Sequence, residues 1–124
     1  MKLIKSLHFL AMLSLAEPVL AESIKYEQEF PRAPEITDDL CRSGASSANT
    51  IQFNEWVEKI SNSGGGVCTS AKAAYVLNAK FAQVISYCLS KTTNPERRSQ
   101  GQQELASAQS TMSQAESTAK GSCP

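Results

Sequence analysis

The sequence predicts an all-α fold: an antiparallel helical hairpin plus a shorter third helix, stapled by two disulfides. Three observations predict it. Apolar side chains recur at helical spacings of three and four residues in three stretches, near 49–61, 69–91 and 95–120. The stretches are separated by strong helix punctuation, Ser61-Asn62-Ser63-Gly64-Gly65-Gly66 and Thr92-Thr93-Asn94-Pro95. The chain also holds four cysteines, an even number, at 41, 68, 88 and 123. Its 124 residues are one domain's worth of chain. A hydrophobic content of 41% against 19% charged argues against wholesale disorder. The 12 basic and 12 acidic groups cancel, so a strongly basic nucleic-acid binder is excluded on bulk charge.

Residues 1–21 have the pattern of a secretory signal peptide. Lys2 and Lys5 charge the start, and Leu7 to Leu15 is apolar apart from His8 and Ser14. Val19-Leu20-Ala21 suits a signal peptidase, and Ser14-Leu15-Ala16 is a second candidate cleavage site. The apolar run is too short for about 30 Å of hydrocarbon, and Pro18 follows it. No stable membrane anchor is therefore expected after cleavage, and the expected location is periplasmic or secreted. Cleavage after Ala21 removes His8, the one histidine. That excludes Ser-His and Cys-His nucleophilic sites, histidine-held zinc and haem on an internal His. No C-x-x-C is present. In an oxidising compartment the four cysteines are expected to pair rather than hold a metal, because metal sites usually take them in closely spaced pairs.

Residues 22–39 form an acidic leader. Glu22, Glu27, Glu29, Glu35, Asp38 and Asp39 stand against Lys25 and Arg32, and Pro31 and Pro34 forbid a continuous helix. It is expected to be extended or poorly ordered, with one helical turn from Thr37 to Arg42. Residues 40–124 form the helical domain. Its first helix, about Asn49 to Ser61, has Phe53, Trp56, Val57 and Ile60 on one face, with Asn49 or Thr50 as cap. Its second, about Thr69 to Lys91, carries the stripe Ala74, Leu77, Phe81, Val84 and Cys88. Ala82, Ile85 and Leu89 widen the stripe, which makes this the most buried helix and sets Tyr75, Val76 and Tyr87 on its flanks. The third begins at Asn94-Pro95-Glu96, a capping residue followed by Pro at the first helical position. It runs to about Lys120, where Gly121 supplies a stop. Its stripe, Leu105, Ala108, Met112, Ala115 and Ala119, is narrow and mostly Ala. Such a helix gains little from burial and needs a covalent tie.

Four cysteines allow three connectivities, which hairpin geometry ranks. Counting back from the turn at Thr92-Thr93, Cys68 lies about 37 Å down the second helix, and Cys123 lies about 42 Å along the third. Both finish at the same end. Cys88 sits near the turn, about 30 Å from Cys68 and far beyond the reach of about 7 Å that a disulfide allows. Cys41–Cys88 with Cys68–Cys123 is the preferred pairing.

No catalytic constellation is expected. Glu27 with Glu29 and Asp38 with Asp39 are paired carboxylates, but they fall in a Pro-interrupted, exposed stretch without the cleft that acid–base chemistry needs. Ser63-Gly64-Gly65-Gly66 lacks the Lys and Ser/Thr of a phosphate loop. No calcium loop is present, and no cofactor or metal is expected. Phe53 and Trp56 read as core. Tyr26 and Phe30 differ, because no predicted helix is available to bury them. With Glu27 and Glu29 they form an aromatic-plus-acidic segment of the kind that docks onto a protein partner. The inventory therefore predicts an exported non-enzymatic binding protein of the cell envelope that blocks a protein partner, as inhibitors and toxin-immunity proteins do. The alternative is a small accessory subunit of an envelope assembly such as a pilus or secretion apparatus. In that case the polar face of the third helix (Gln103, Gln109, Ser110, Gln114) would lie along its neighbours.

Overall fold

The computed structural model describes residues 25–42 and 46–124. The signal peptide expected over residues 1–21 lies outside the described residues. The architecture is all-α: a short 3-10 turn, Asp38–Cys41, precedes α1 (Ala48–Ser61), α2 (Gly66–Lys91) and α3 (Pro95–Ser122). Helices α2 and α3 form the antiparallel hairpin, and the shorter α1 folds back on α2. The 3-10 turn packs against both α1 and α2. Helix α2 is thus the central element.

Both disulfides form as the hairpin arithmetic ranked them. Cys41–Cys88 has its Cα atoms 5.4 Å apart, and Cys68–Cys123 has them 4.9 Å apart. The first pins the end of the leader near the hairpin turn. The second closes the opposite end, where α3 is least able to hold itself.

Each helix boundary has a local cause. Ser47 caps α1, its Oγ accepting from Thr50 N–H at 3.2 Å. The chain then turns through Gly64, Gly65 and Gly66, all at positive φ. Gly65 and Gly66, near +100°, take a backbone that a side chain would strain. Helix α2 begins at Gly66, three residues before the Thr69 expected from the sequence, with no side chain capping it. At the hairpin turn Asn94 Oδ1 accepts from the N–H groups of Glu96 and Arg97, at 3.0 and 3.2 Å. Arg98 reaches back to donate to the carbonyls of Leu89 and Thr92, satisfying acceptors left open at the end of α2. Helix α3 runs past Gly121 to Ser122, because Cys123 N–H still bonds Ala119 O at 2.8 Å beside the disulfide.

The core runs along one side of the hairpin. Phe53, Trp56 and Ile60 are buried from α1, and Ala108, Ala115 and Ala119 from α3. On α2 the deepest residues are Tyr75 and Val76, at 0% and 2% exposure. The sequence placed these two on the flanks and centred the stripe on Leu77, Phe81 and Val84, which are half-buried. The face is displaced because α2 is covered from more than one direction. Helix α3, helix α1 and the leader all pack on it, so its flanks become interior. Near the hairpin turn the helices come very close: a Cβ on Gly101 would lie 2.6 Å from Leu89 Cδ2.

Candidate binding groove

The leader is folded onto the domain along α1 and α2. It starts with a helical turn over residues 25–27, from which Glu29 and Phe30 N–H bond the carbonyls of Tyr26 and Glu27. Tyr26 is buried, at 8% exposure, and meets the ring of Tyr75 edge-on with centroids 5.2 Å apart. This corrects the expectation that no core was available to it. The Tyr75 flank of α2 is the surface that receives it, so Tyr26 anchors the leader and is not a free contact residue. Glu29 pairs with Lys72 at 2.9 Å, and the Lys72 ammonium lies 6.0 Å from the Tyr26 ring centroid. Glu29 is thus partly committed within the chain. Phe30 is half-buried against the core, and Glu27 is half-exposed.

Residues 31–37 have no regular secondary structure and are tied to α1. The Trp56 indole N–H donates to Pro31 O at 2.8 Å. Asn49 Nδ2 donates to Glu35 O at 3.0 Å, and Thr37 Oγ1 donates to Asn49 Oδ1 at 2.6 Å. The far end is held electrostatically. Tyr87 O–H donates to Asp38, and Lys91 lies 3.7 Å from the same carboxylate. The Tyr87 hydrogen bond, followed by the charge of Lys91, holds the Asp38 carboxyl below its ordinary value, and the same bond pushes the Tyr87 phenol up. The leader is therefore anchored to α2 at both ends and to α1 in the middle.

That path leaves a groove of about 760 Å³ between the leader and α2. Phe30, Pro31, Pro34 and Ile36 line it from the leader, Trp56 from α1, and Val76 and Lys80 from α2. Glu27, Arg32 and Glu35 stand around it. The walls are mostly apolar with a few charges of both signs, and the groove is open to solvent. A second groove of about 770 Å³ lies between the 3-10 turn and the hairpin turn, and it contains Asp38, Arg42, Lys91, Arg97 and Glu104.

Of the four residues singled out in the leader, Glu27 and Phe30 line the first groove, whereas Tyr26 and Glu29 secure its frame. The sequence assigns Trp56 to the core rather than to a recognition surface. It is buried at 4% exposure, yet its N–H fixes the position of the groove wall. The sequence offers one clue to this: a buried indole needs an acceptor, and the apolar face of α1 supplies none.

Among the described residues no group of three or more His, Cys, Asp or Glu side chains is placed to hold a metal. No helix among them is long and apolar enough to cross a membrane. The two disulfides fit an oxidising, extracytoplasmic environment. No protein-family model matches the chain, and no curated protein or solved structure shows significant similarity to it.

Proposed function

We propose that the chain is an exported, non-enzymatic binding protein of the cell envelope, which blocks a protein partner through the groove between leader and α2. The observation that carries this reading is the construction of the groove. The Cys41–Cys88 bond and the indole-to-carbonyl bond fix a mostly apolar surface beside α2, and a pre-shaped surface of that kind loses little entropy on binding. Phe30 is the leader's aromatic in the groove wall, and Glu27 is a half-exposed charge beside it. An accessory-subunit role has one observation of its own. The outer face of α3 is long, polar and not covered by any other described element, with Gln103, Gln109, Ser110 and Gln114 exposed.

The test is capture from the native envelope on the immobilised, oxidised protein, followed by kinetics with variants. Phe30→Ala should speed dissociation about 30-fold, the loss of roughly 2 kcal/mol from a central aromatic. Glu27→Lys should mainly slow association, with the effect fading at high salt. A partner that binds both variants like the parent, but loses affinity when Gln109 and Gln114 become Lys, would replace this reading with the accessory-subunit one.

A further inference from the structure

The leader wall presents one basic side chain in a setting that narrows the class of partner. Among the described residues, Arg32 is the one lysine or arginine in a stretch without helix, turn or bend, residues 31–37; the others belong to helices or adjoin one. Its side chain is exposed and makes no hydrogen bond or ion pair with a described residue, unlike Arg42, which pairs with Asp39. The backbone around it is held on each side and left open in between. The Trp56 indole N–H donates to Pro31 O, the carbonyl just before Arg32, and Asn49 Nδ2 donates to Glu35 O, three residues after it. No described residue hydrogen-bonds the N–H or C=O of Arg32 or Ala33. Pro31 fixes its own φ, and Pro34 turns Ala33 away from helical backbone. An exposed arginine in a non-helical loop with free backbone groups is what a protease cleft takes. Such a cleft pairs with substrate backbone, as a strand added to a sheet edge does, and its specificity pocket reads the side chain just before the bond that is cut.

We propose that residues 30–35 are a substrate-like inhibitory loop for a serine protease whose specificity pocket carries a carboxylate, with Arg32 as the side chain that enters the pocket. This inference rests on the binding-protein reading and names the class of partner. Charge complementarity selects the class: a guanidinium without a partner in the free protein meets a carboxylate that it can bond twice. Phe30 and Pro31 take the two sites before Arg32, so Phe30 keeps its role as a partner contact. The loop resists turnover because both halves stay attached to the domain. Attack of the protease's serine Oγ on the Arg32 carbonyl carbon forms an ester and breaks the Arg32–Ala33 bond, and the serine's proton passes through the protease's histidine to the Ala33 nitrogen. From a free peptide that amine departs, and water completes hydrolysis. Here the Ala33 side is tied back through Asn49 on Glu35 O and through the Cys41–Cys88 bond. The ester side is seated by Trp56 on Pro31 O and by Tyr26 on Tyr75. The retained amine therefore attacks the ester, re-forms the peptide bond and returns the proton and the free serine, with the advantage of an intramolecular reaction. A loop already held in place also loses little entropy on docking, as is usual for protease inhibitors.

The experiment measures how the full oxidised chain inhibits trypsin acting on a chromogenic arginine substrate, with chymotrypsin as the comparison enzyme. The parent should inhibit trypsin competitively and leave chymotrypsin, whose pocket is a hydrophobic slot, unaffected. Arg32→Ala should raise the inhibition constant about 100-fold, because it removes the side chain at the centre of the interface. Arg32→Lys should keep most of the inhibition. Arg32→Phe should transfer it to chymotrypsin, a gain that a misfolded variant would not show. Intact-mass measurement during the assay should find the parent largely uncut, whereas a synthetic peptide copying residues 28–37 should be cut after its arginine. Absence of trypsin inhibition by the parent overturns the proposal. So does inhibition that Arg32→Ala leaves unchanged, and so does cutting of the parent at Arg32–Ala33 as fast as the peptide. The binding-protein reading is tested separately, on the captured envelope partner. A partner that depends on Phe30 but binds Arg32→Ala like the parent would keep that reading and remove this one.

Discussion

Tyr87 and Asp38 show how single residues hold the leader to the hairpin. The lowered Asp38 carboxyl contributes stability above the ordinary carboxylate range and loses it as pH falls through its depressed folded value. The raised Tyr87 phenol contributes below its ordinary value of 10.0 and loses it as pH rises through the higher folded value. Tyr87→Phe removes the phenol's contribution and the first cause of the Asp38 shift, leaving only what the Lys91 charge supplies. Thermal melts of parent and variant should therefore differ most between about pH 4 and pH 10 and converge outside that window. A constant gap across the whole range would mean that ring packing, not the hydrogen bond, is what Tyr87 supplies. Trp56→Phe tests the middle tie. It deletes the bond to Pro31 O and leaves a small void, a loss of about 2 kcal/mol in denaturant unfolding. None of these contacts is legible in the sequence. A buried indole shows that it needs an acceptor, but Trp56 bonds a backbone carbonyl 25 positions away, and every residue carries such a carbonyl, so residue type does not say which one.

At the scale of the element, α3 is the helix that depends most on its connections. Its buried residues are Ala108, Ala115 and Ala119, and these small side chains bury little apolar area. Replacing Cys68 and Cys123 by Ser should cost about 4 kcal/mol on the loop-entropy model, with the cysteines 55 positions apart. Hydrogen exchange should then speed first in the last turns of α3, before α1 and α2 respond. Uniform loss of protection in all three helices would show that α3 is not a separate weak element. Gly101 opposes two known effects. Ala there gains about 1 kcal/mol of helix propensity, but its Cβ pushes Leu89 off its rotamer at a comparable cost. Gly101→Ala should be close to neutral by denaturant unfolding. Gly101→Leu, with no room to be absorbed, should lose about 1–3 kcal/mol. The helices themselves were legible because caps, glycines and spacing are local. The two ends of the hairpin were legible because helix rise is fixed, which is why the cysteine pairing followed from counting. The deepest face of α2 was not. Whether Tyr75 or Leu77 lies inside depends on how many neighbours cover the helix, and its own periodicity is compatible with either.

For the molecule as a whole, the small side chains of the core make the covalent ties a large part of the stability. A domain of this size has about 5–15 kcal/mol in total, and each disulfide contributes about 4 kcal/mol. Full reduction should leave the chain mostly unfolded at 37 °C by far-ultraviolet circular dichroism, and a reduced chain that keeps its helicity would show that the core suffices alone. One of them, Cys41–Cys88, pins the end of the acidic leader and helps turn it from a tail into a wall. Its composition announced the charge and the prolines, and with them a segment that stays out of the helices. The wall it forms required the tertiary partners Tyr75, Trp56 and Asn49, which only the folded chain brings together. On the proposed reading, function resides in the groove that this wall makes. Hydrogen-exchange footprinting of the oxidised protein, free and bound to its captured partner, tests it most directly. Protection concentrated at residues 27–37 and on α2 around Val76 and Lys80 is the predicted result. Protection running instead along the outer face of α3, with the leader amides unchanged, would contradict it.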